Sequence, residues 1–138
     1  MLRINKKVEY GVMALLHLGT LPESVASVRE ISELSGISET LLSKVMQRLK
    51  AAGFVDSVHG NQGGYRLTKD LANISLLEVA QWLSGPVSVA ECLQPGSDTC
   101  PVKQACTLVS PMNVLNQKII RVLKETSLDS LTERKVAV

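Results

Sequence analysis

The sequence predicts a mainly α-helical chain with one small β-hairpin, and three observations carry that expectation. Hydrophobic residues fill 45% of the 138 positions but aromatics only 3%, so Leu, Val, Ile, Ala and Met build the core. That aliphatic mix suits helices better than sheets. Five segments repeat their apolar residues at helical spacing. One further stretch alternates apolar and polar residues around a glycine-rich tip, as a hairpin does.

Taken in order, residues 7–21 place Val8, Val12, Leu15, Leu16 and Leu18 at helical spacing, and Pro22 ends the run. Residues 28–36 form a short amphipathic helix with Val28, Ile31 and Leu34 expected inward, stopped by Gly36. Ser38 caps a third helix with Leu41, Leu42, Val45, Met46 and Leu49 at core spacing, and Gly53 closes it. A tight glycine turn between the second and third helices marks a helix-turn-helix. Residues 54–58 then alternate, HGNQGG follows, and Tyr65, Arg66 and Leu67 open a second strand. A hairpin directly after such a helix is the wing of a winged helix.

Residues 74–84 form another helix, ended by Gly85 and Pro86. From 85 to about 107 the periodicity lapses, and the segment holds Pro95, Gly96, Pro101 and every cysteine. A loop this long is uncommon without a function or an internal clip. Helical signal returns at Ser110 and Pro111, a serine N-cap followed by a first-turn proline. Met112, Leu115, Ile119 and Val122 follow at 3-4-3 spacing. This stripe either packs on its own domain or pairs with a second copy. Residues 127–138 show no pattern and are expected to fray.

A net charge of +2 hides an uneven distribution. Residues 1–69 hold nine Lys/Arg against six Asp/Glu, whereas residues 70–138 hold six against seven. The front half is the better partner for a polyanion. The apolar stretch after Lys7 is broken by Glu9 and His17, which argues against a leader peptide. No run is long and apolar enough to span a bilayer. The expectation is a cytoplasmic protein with no membrane partner. There is no phosphate-binding loop, no dinucleotide fingerprint and no Ser/His/Asp arrangement, and only two dispersed histidines. An enzyme is not expected.

A recognition helix reads base edges with residues near its N-terminus. Here those are Ser38, Glu39, Thr40, Ser43 and Lys44. Lys44 and Arg48 lie one turn apart on one face, as phosphate contacts do. In isolation the pair would be ordinary solvated charges. The wing adds Gly60, Gly63 and Gly64, which permit close backbone approach, together with His59, Asn61, Gln62, Tyr65 and Arg66. A lone G-x-x-G-G is merely a tight turn; after a helix-turn-helix it points to double-stranded DNA. Two half-sites of a pseudo-palindromic operator would call for a homodimer paired through Met112, Leu115, Ile119 and Val122.

Cys92, Cys100 and Cys106 are spaced C-x7-C-x5-C within fifteen residues. Three is an odd number for a disulfide framework, and in a reducing compartment such a cluster points to metal or redox chemistry. Soft thiolates select zinc, copper(I) or iron–sulfur centres. Structural zinc wants four ligands, commonly from closely spaced pairs, and His17 on its apolar helix reads as a packed or surface residue. Three thiolates on one loop suit an iron–sulfur cluster with one non-cysteine ligand. A metal-free redox switch and a zinc site stay open at this point.

Residues 36–67, GISETLLSKVMQRLKAAGFVDSVHGNQGGYRL, resemble the winged-helix signature of the Rrf-type transcription regulators. The opening LRINKKVEYGV, the three-cysteine loop and the long last helix extend the resemblance over nearly the whole chain. Leu41 and His59 depart from it, standing where tyrosine and arginine are usual. The family includes IscR-, NsrR- and RirA-type iron–sulfur sensors. The resemblance therefore implies a cluster on Cys92, Cys100 and Cys106. In some NsrR-like members an acidic residue from helix 1 of the partner subunit completes the site. Glu9 stands at the matching position, where it is either that fourth ligand or a solvated glutamate favoured at a helix start. A histidine ligand three residues past the last cysteine is ruled out, because that position is Val109. Three cysteines plus a carboxylate favour 4Fe–4S over 2Fe–2S. The implied organisation is a DNA-binding domain over 1–84, a cluster loop over 85–107, and a dimerisation helix with tail over 108–138.

Overall fold

The computed structural model describes residues 4–20, 25–94, 96 and 100–132. The predicted runs become α1 (Lys6–Gly19), α2 (Val28–Ser35), α3 (Glu39–Ala51), α4 (Leu76–Ser84) and α5 (Val109–Glu125), with β1 (Val55–Val58) and β2 (Gly64–Leu67) after α3. Four of the five helices start on a side-chain cap. Asn5, Ser27, Ser38 and Ser75 accept hydrogen bonds from the backbone N–H of Val8, Glu30, Leu41 and Glu78, satisfying donors that have no partner inside the helix. At α4 the cap is reciprocal, because Glu78 Oε2 accepts the Ser75 N–H at 2.9 Å. Gly36 ends α2 in the left-handed region at φ 78°, which glycine enters without a Cβ clash.

The core is aliphatic, as composition demands. Leu15 of α1, Ile31 of α2, Leu42, Met46 and Leu49 of α3 and Leu83 of α4, with Phe54 and Ile74 from the connections, are fully buried in one cluster. Each such side chain contributes roughly 1.5–3 kcal/mol on leaving water. Helix α4 holds the fold together, packing on α1 and α3 on one side and on α5 on the other.

The hairpin is antiparallel, with Val55 opposite Leu67 and Val58 opposite Gly64. A third short edge escaped the sequence reading. Ala26 bridges Tyr65, its N–H donating to the Tyr65 carbonyl at 3.0 Å and its carbonyl accepting the Tyr65 N–H at 2.8 Å. The wing is thus stitched to the segment that leads into α2.

Four expectations need correction. Leu34 is 64% exposed and Leu41 47% exposed; α2 and α3 are short and bury a single stripe, and these two residues fall beside it. Helix α5 begins at Val109, with Leu108 in the cap position and no side-chain cap. Pro111 then sits inside the first turn, where the missing N–H costs nothing. The described residues of 85–107 include two 3-10 turns, Glu91–Leu93 and Lys103–Ala105. Residues 127–132 are docked rather than frayed: Leu128 is fully buried, its N–H donates to the Ile74 carbonyl at 2.9 Å, and the Leu76 N–H donates to the Thr126 carbonyl at 2.9 Å. The rest of the expected tail, 133–138, lies outside the described residues.

Candidate nucleic-acid interface and cysteine loop

Burial of Leu42, Val45, Met46 and Leu49 fixes the rotation of α3, and its opposite face is thereby turned to solvent. Ser38, Glu39, Thr40, Lys44 and Arg48 are exposed and Ser43 is half-buried. Of the predicted reading residues, Thr40, Lys44 and Arg48 follow one another at four-residue steps on the outward side, while Ser38 and Glu39 stand at the start of the helix and Ser43 at the margin of the buried stripe. The far end of α3 is tied to the wing, since Lys50 Nζ donates to Ser57 Oγ at 2.8 Å and the Thr68 hydroxyl donates to the Gly53 carbonyl. Neither link was legible in the sequence.

At the wing tip, His59, Gly60, Asn61 and Gln62 are exposed, with Arg66 exposed on β2. Gly63 N–H donates to the Gly60 carbonyl at 3.0 Å, closing the turn. A Cβ at Gly63 would run into the Val58 carbonyl oxygen, and one at Gly64 into the Ala26 carbonyl. These two glycines are demanded by backbone packing within the protein. Tyr65 is half-buried against the core and shares that structural role.

On α1, Lys6 Nζ and Glu9 Oε2 pair at 2.7 Å on an exposed surface. The Glu9 carboxylate, through its hydrogen bond and charge, holds the Lys6 ammonium above the usual lysine range. Lys6 is therefore a cation at every physiological pH.

Cys92 lies in the turn Glu91–Leu93, and Cys106 directly follows the turn Lys103–Ala105. Together with Cys100 they are half-buried and free. Among the described residues, no three His, Cys, Asp or Glu side chains are gathered into a ready-made metal site. The donor set nonetheless suits a soft metal group by type and number, being three thiols on one segment. The segment is clipped at its start. Asn116 of α5, only 7% exposed, accepts the Val89 N–H on Oδ1 at 2.8 Å. The turn Glu91–Leu93 also packs on α5. Sequence reasoning missed Asn116, although a polar residue set four after Met112 and seven before Leu123 was the available signal.

Helix α5 has two faces. Asn116 and Leu123 turn inward. Of the predicted pairing stripe, Met112 and Ile119 are half-buried, while Leu115 and Val122 are 44% and 61% exposed. Among the described residues, no helix is long and apolar enough to cross a membrane.

Comparison with known proteins places these features in context. The family model Rrf2, described as an iron-dependent transcriptional regulator, matches residues 4–134. The chain is 29% identical over 134 residues to protein aau3 of Rhizobium meliloti, covering 97% of this chain and 87% of that protein. It is similar in structure to CymR, the global cysteine regulator of B. subtilis, with TM-score 0.76, 29% identity, and coverage of 95% and 96% of the two chains. It is likewise similar to IscR of T. potens, with TM-score 0.71, 27% identity, and coverage of 99% and 93%.

Proposed function

The chain belongs to the Rrf2 family of transcription regulators, and on that premise we propose that it is a sequence-specific DNA-binding repressor governed by an iron–sulfur cluster on Cys92, Cys100 and Cys106. Members of the family are regulators, not enzymes; they bind DNA and commonly dimerise. The observation that carries the cluster reading is the set of three free, half-buried thiols on one loop fastened to α5. The family's description as iron-dependent supports it. Cys92, Cys100 and Cys106 would hold the group, with Glu9 of a second copy as fourth ligand and 4Fe–4S as its form. Such a group supplies a cross-link sensitive to nitric oxide, oxygen and iron supply.

The chain's own residues do the rest. Three thiolates drawn together order the loop beyond Val89. Asn116 holds the start of that loop against α5, whose Leu115 and Val122 face a second copy. Helix α4, packed between α5 and α3, then sets the separation of two recognition helices. Ser38, Glu39, Thr40, Ser43 and Lys44 enter the major groove, Arg48 meets phosphate, and the tip from His59 to Gln62, with Arg66, reaches the neighbouring minor groove. A loosened loop makes the spacing that matches the operator a minor state, and apparent affinity falls with its population.

A second reading is a metal-free switch in which two of the three free thiols pass two electrons and two protons to an external oxidant and form a disulfide, and likeness to the cysteine regulator CymR supports it. Oxygen-protected purification of the full chain separates the two. The cluster reading expects brown protein with about four irons and matching sulfide per subunit. Colourless, iron-free protein that refuses reconstitution but titrates for thiols overturns it in favour of the switch; stoichiometric zinc overturns both.

A further inference from the structure

Between the first turn of α1 and the middle of α3 runs a groove of about 320 Å³, bordered on its α3 side by Lys44 and Arg48 and on its α1 side by residues that the DNA contacts above leave unused. Lys6, Lys7, Lys44 and Arg48 line it beside an apolar strip that includes Tyr10 and Leu41. It adjoins a second depression that again includes Lys6, Lys7 and Arg48. Among the described residues, Lys7, Lys44 and Arg48 make no ion pair, and the Lys6 charge is shared only with Glu9. Four like charges around one groove repel one another unless an anion lies between them.

The groove continues the outward face of α3, so its occupant must coexist with DNA on that helix or be the DNA itself. A small anion satisfies one or two of the cations. A nucleic-acid strand presents a phosphate every 3.4 Å or so along its axis and meets all four in turn. Its deoxyribose carbons also suit the apolar strip, which accounts for a leucine left 47% exposed at position 41. We infer that the first turn of α1 belongs to the DNA surface, with Lys7, assisted by Lys6, gripping the backbone of the strand that flanks the groove read by α3.

This inference rests on α3 being the recognition helix, and its test separates the two. Binding of the full-length chain to a duplex that it selects from a randomised pool is followed by fluorescence anisotropy across a salt series. Lys7→Ala, a change at an exposed position, is expected to lower the slope of log affinity against log salt by about one unit per subunit, equally for every sequence. Lys7→Arg restores the slope. Lys6→Ala lowers it less, because Glu9 already shares that charge. An unchanged slope for Lys7→Ala, alongside a lowered one for Lys44→Ala or Arg48→Ala, overturns the α1 contact and leaves α3 in place. Unchanged slopes for all four overturn the reading of α3 as well.

Discussion

Single residues set the local geometry that everything larger depends on. Ser75 begins α4 with a reciprocal cap, so Ser75→Ala should cost about 1 kcal/mol, visible as a lowered midpoint in thermal unfolding. Gly64 lies where its backbone meets the Ala26 carbonyl. Gly64→Val should therefore part the Ala26–Tyr65 bridge and destabilise the chain by about 1–3 kcal/mol, with loss of amide protection at Ala26 as the local signature. Leu41 shows where residue-level patterning stops. It sits among helix-spaced apolar residues, yet α3 spends its buried stripe on Leu42, Val45, Met46 and Leu49. Only the position of α1 and α4 decides that Leu41 faces a groove.

At the scale of elements, α5 and its two flanks are the part the sequence described least well. Its apolar repeat is real, but the helix divides that repeat between an inward face centred on Asn116 and Leu123 and an outward one bearing Leu115 and Val122. Asn116→Ala removes the buried acceptor of the half-buried Val89 N–H. A stability loss of about 1–3 kcal/mol is expected, together with faster hydrogen exchange at Val89; unchanged exchange would show that the clip does not hold the loop. The segment after α5 makes the complementary point. Leu128 fills the core under Ile74, so Leu128→Ala should destabilise by about 2–5 kcal/mol in denaturant unfolding, whereas a frayed tail would tolerate the change. Two leucines three apart in a polar stretch, Leu128 and Leu131, are too few to set a periodicity, and the burial of Leu128 depends on the start of α4 offering a backbone edge at Ile74 and Leu76.

For the whole molecule the consequence is coupling. Loop, α5, α4 and α3 touch in sequence, and a second copy would engage through Leu115 and Val122. Replacing both with lysine should convert dimer to monomer in sedimentation and weaken operator binding by at least tenfold, because a monomer meets one half-site. Matched gel shifts of iron-loaded and iron-free protein should differ in affinity; equal values would leave DNA binding intact and remove cluster control.

The sequence by itself determined the helices, the Ser38 cap of α3, the Gly36 turn, the hairpin and the cysteine spacing. All of these follow from interactions within a few residues of one another: apolar periodicity, a serine side chain reaching an N–H three residues on, a glycine at a turn. Tertiary structure alone decided which apolar residues stay outside, that Ala26 joins the wing, that Asn116 grips the cysteine loop, that Leu128 docks, and that Lys7 shares a groove with Arg48. Those outcomes need two segments far apart in the chain to meet, and burial is a property of the meeting rather than of either segment.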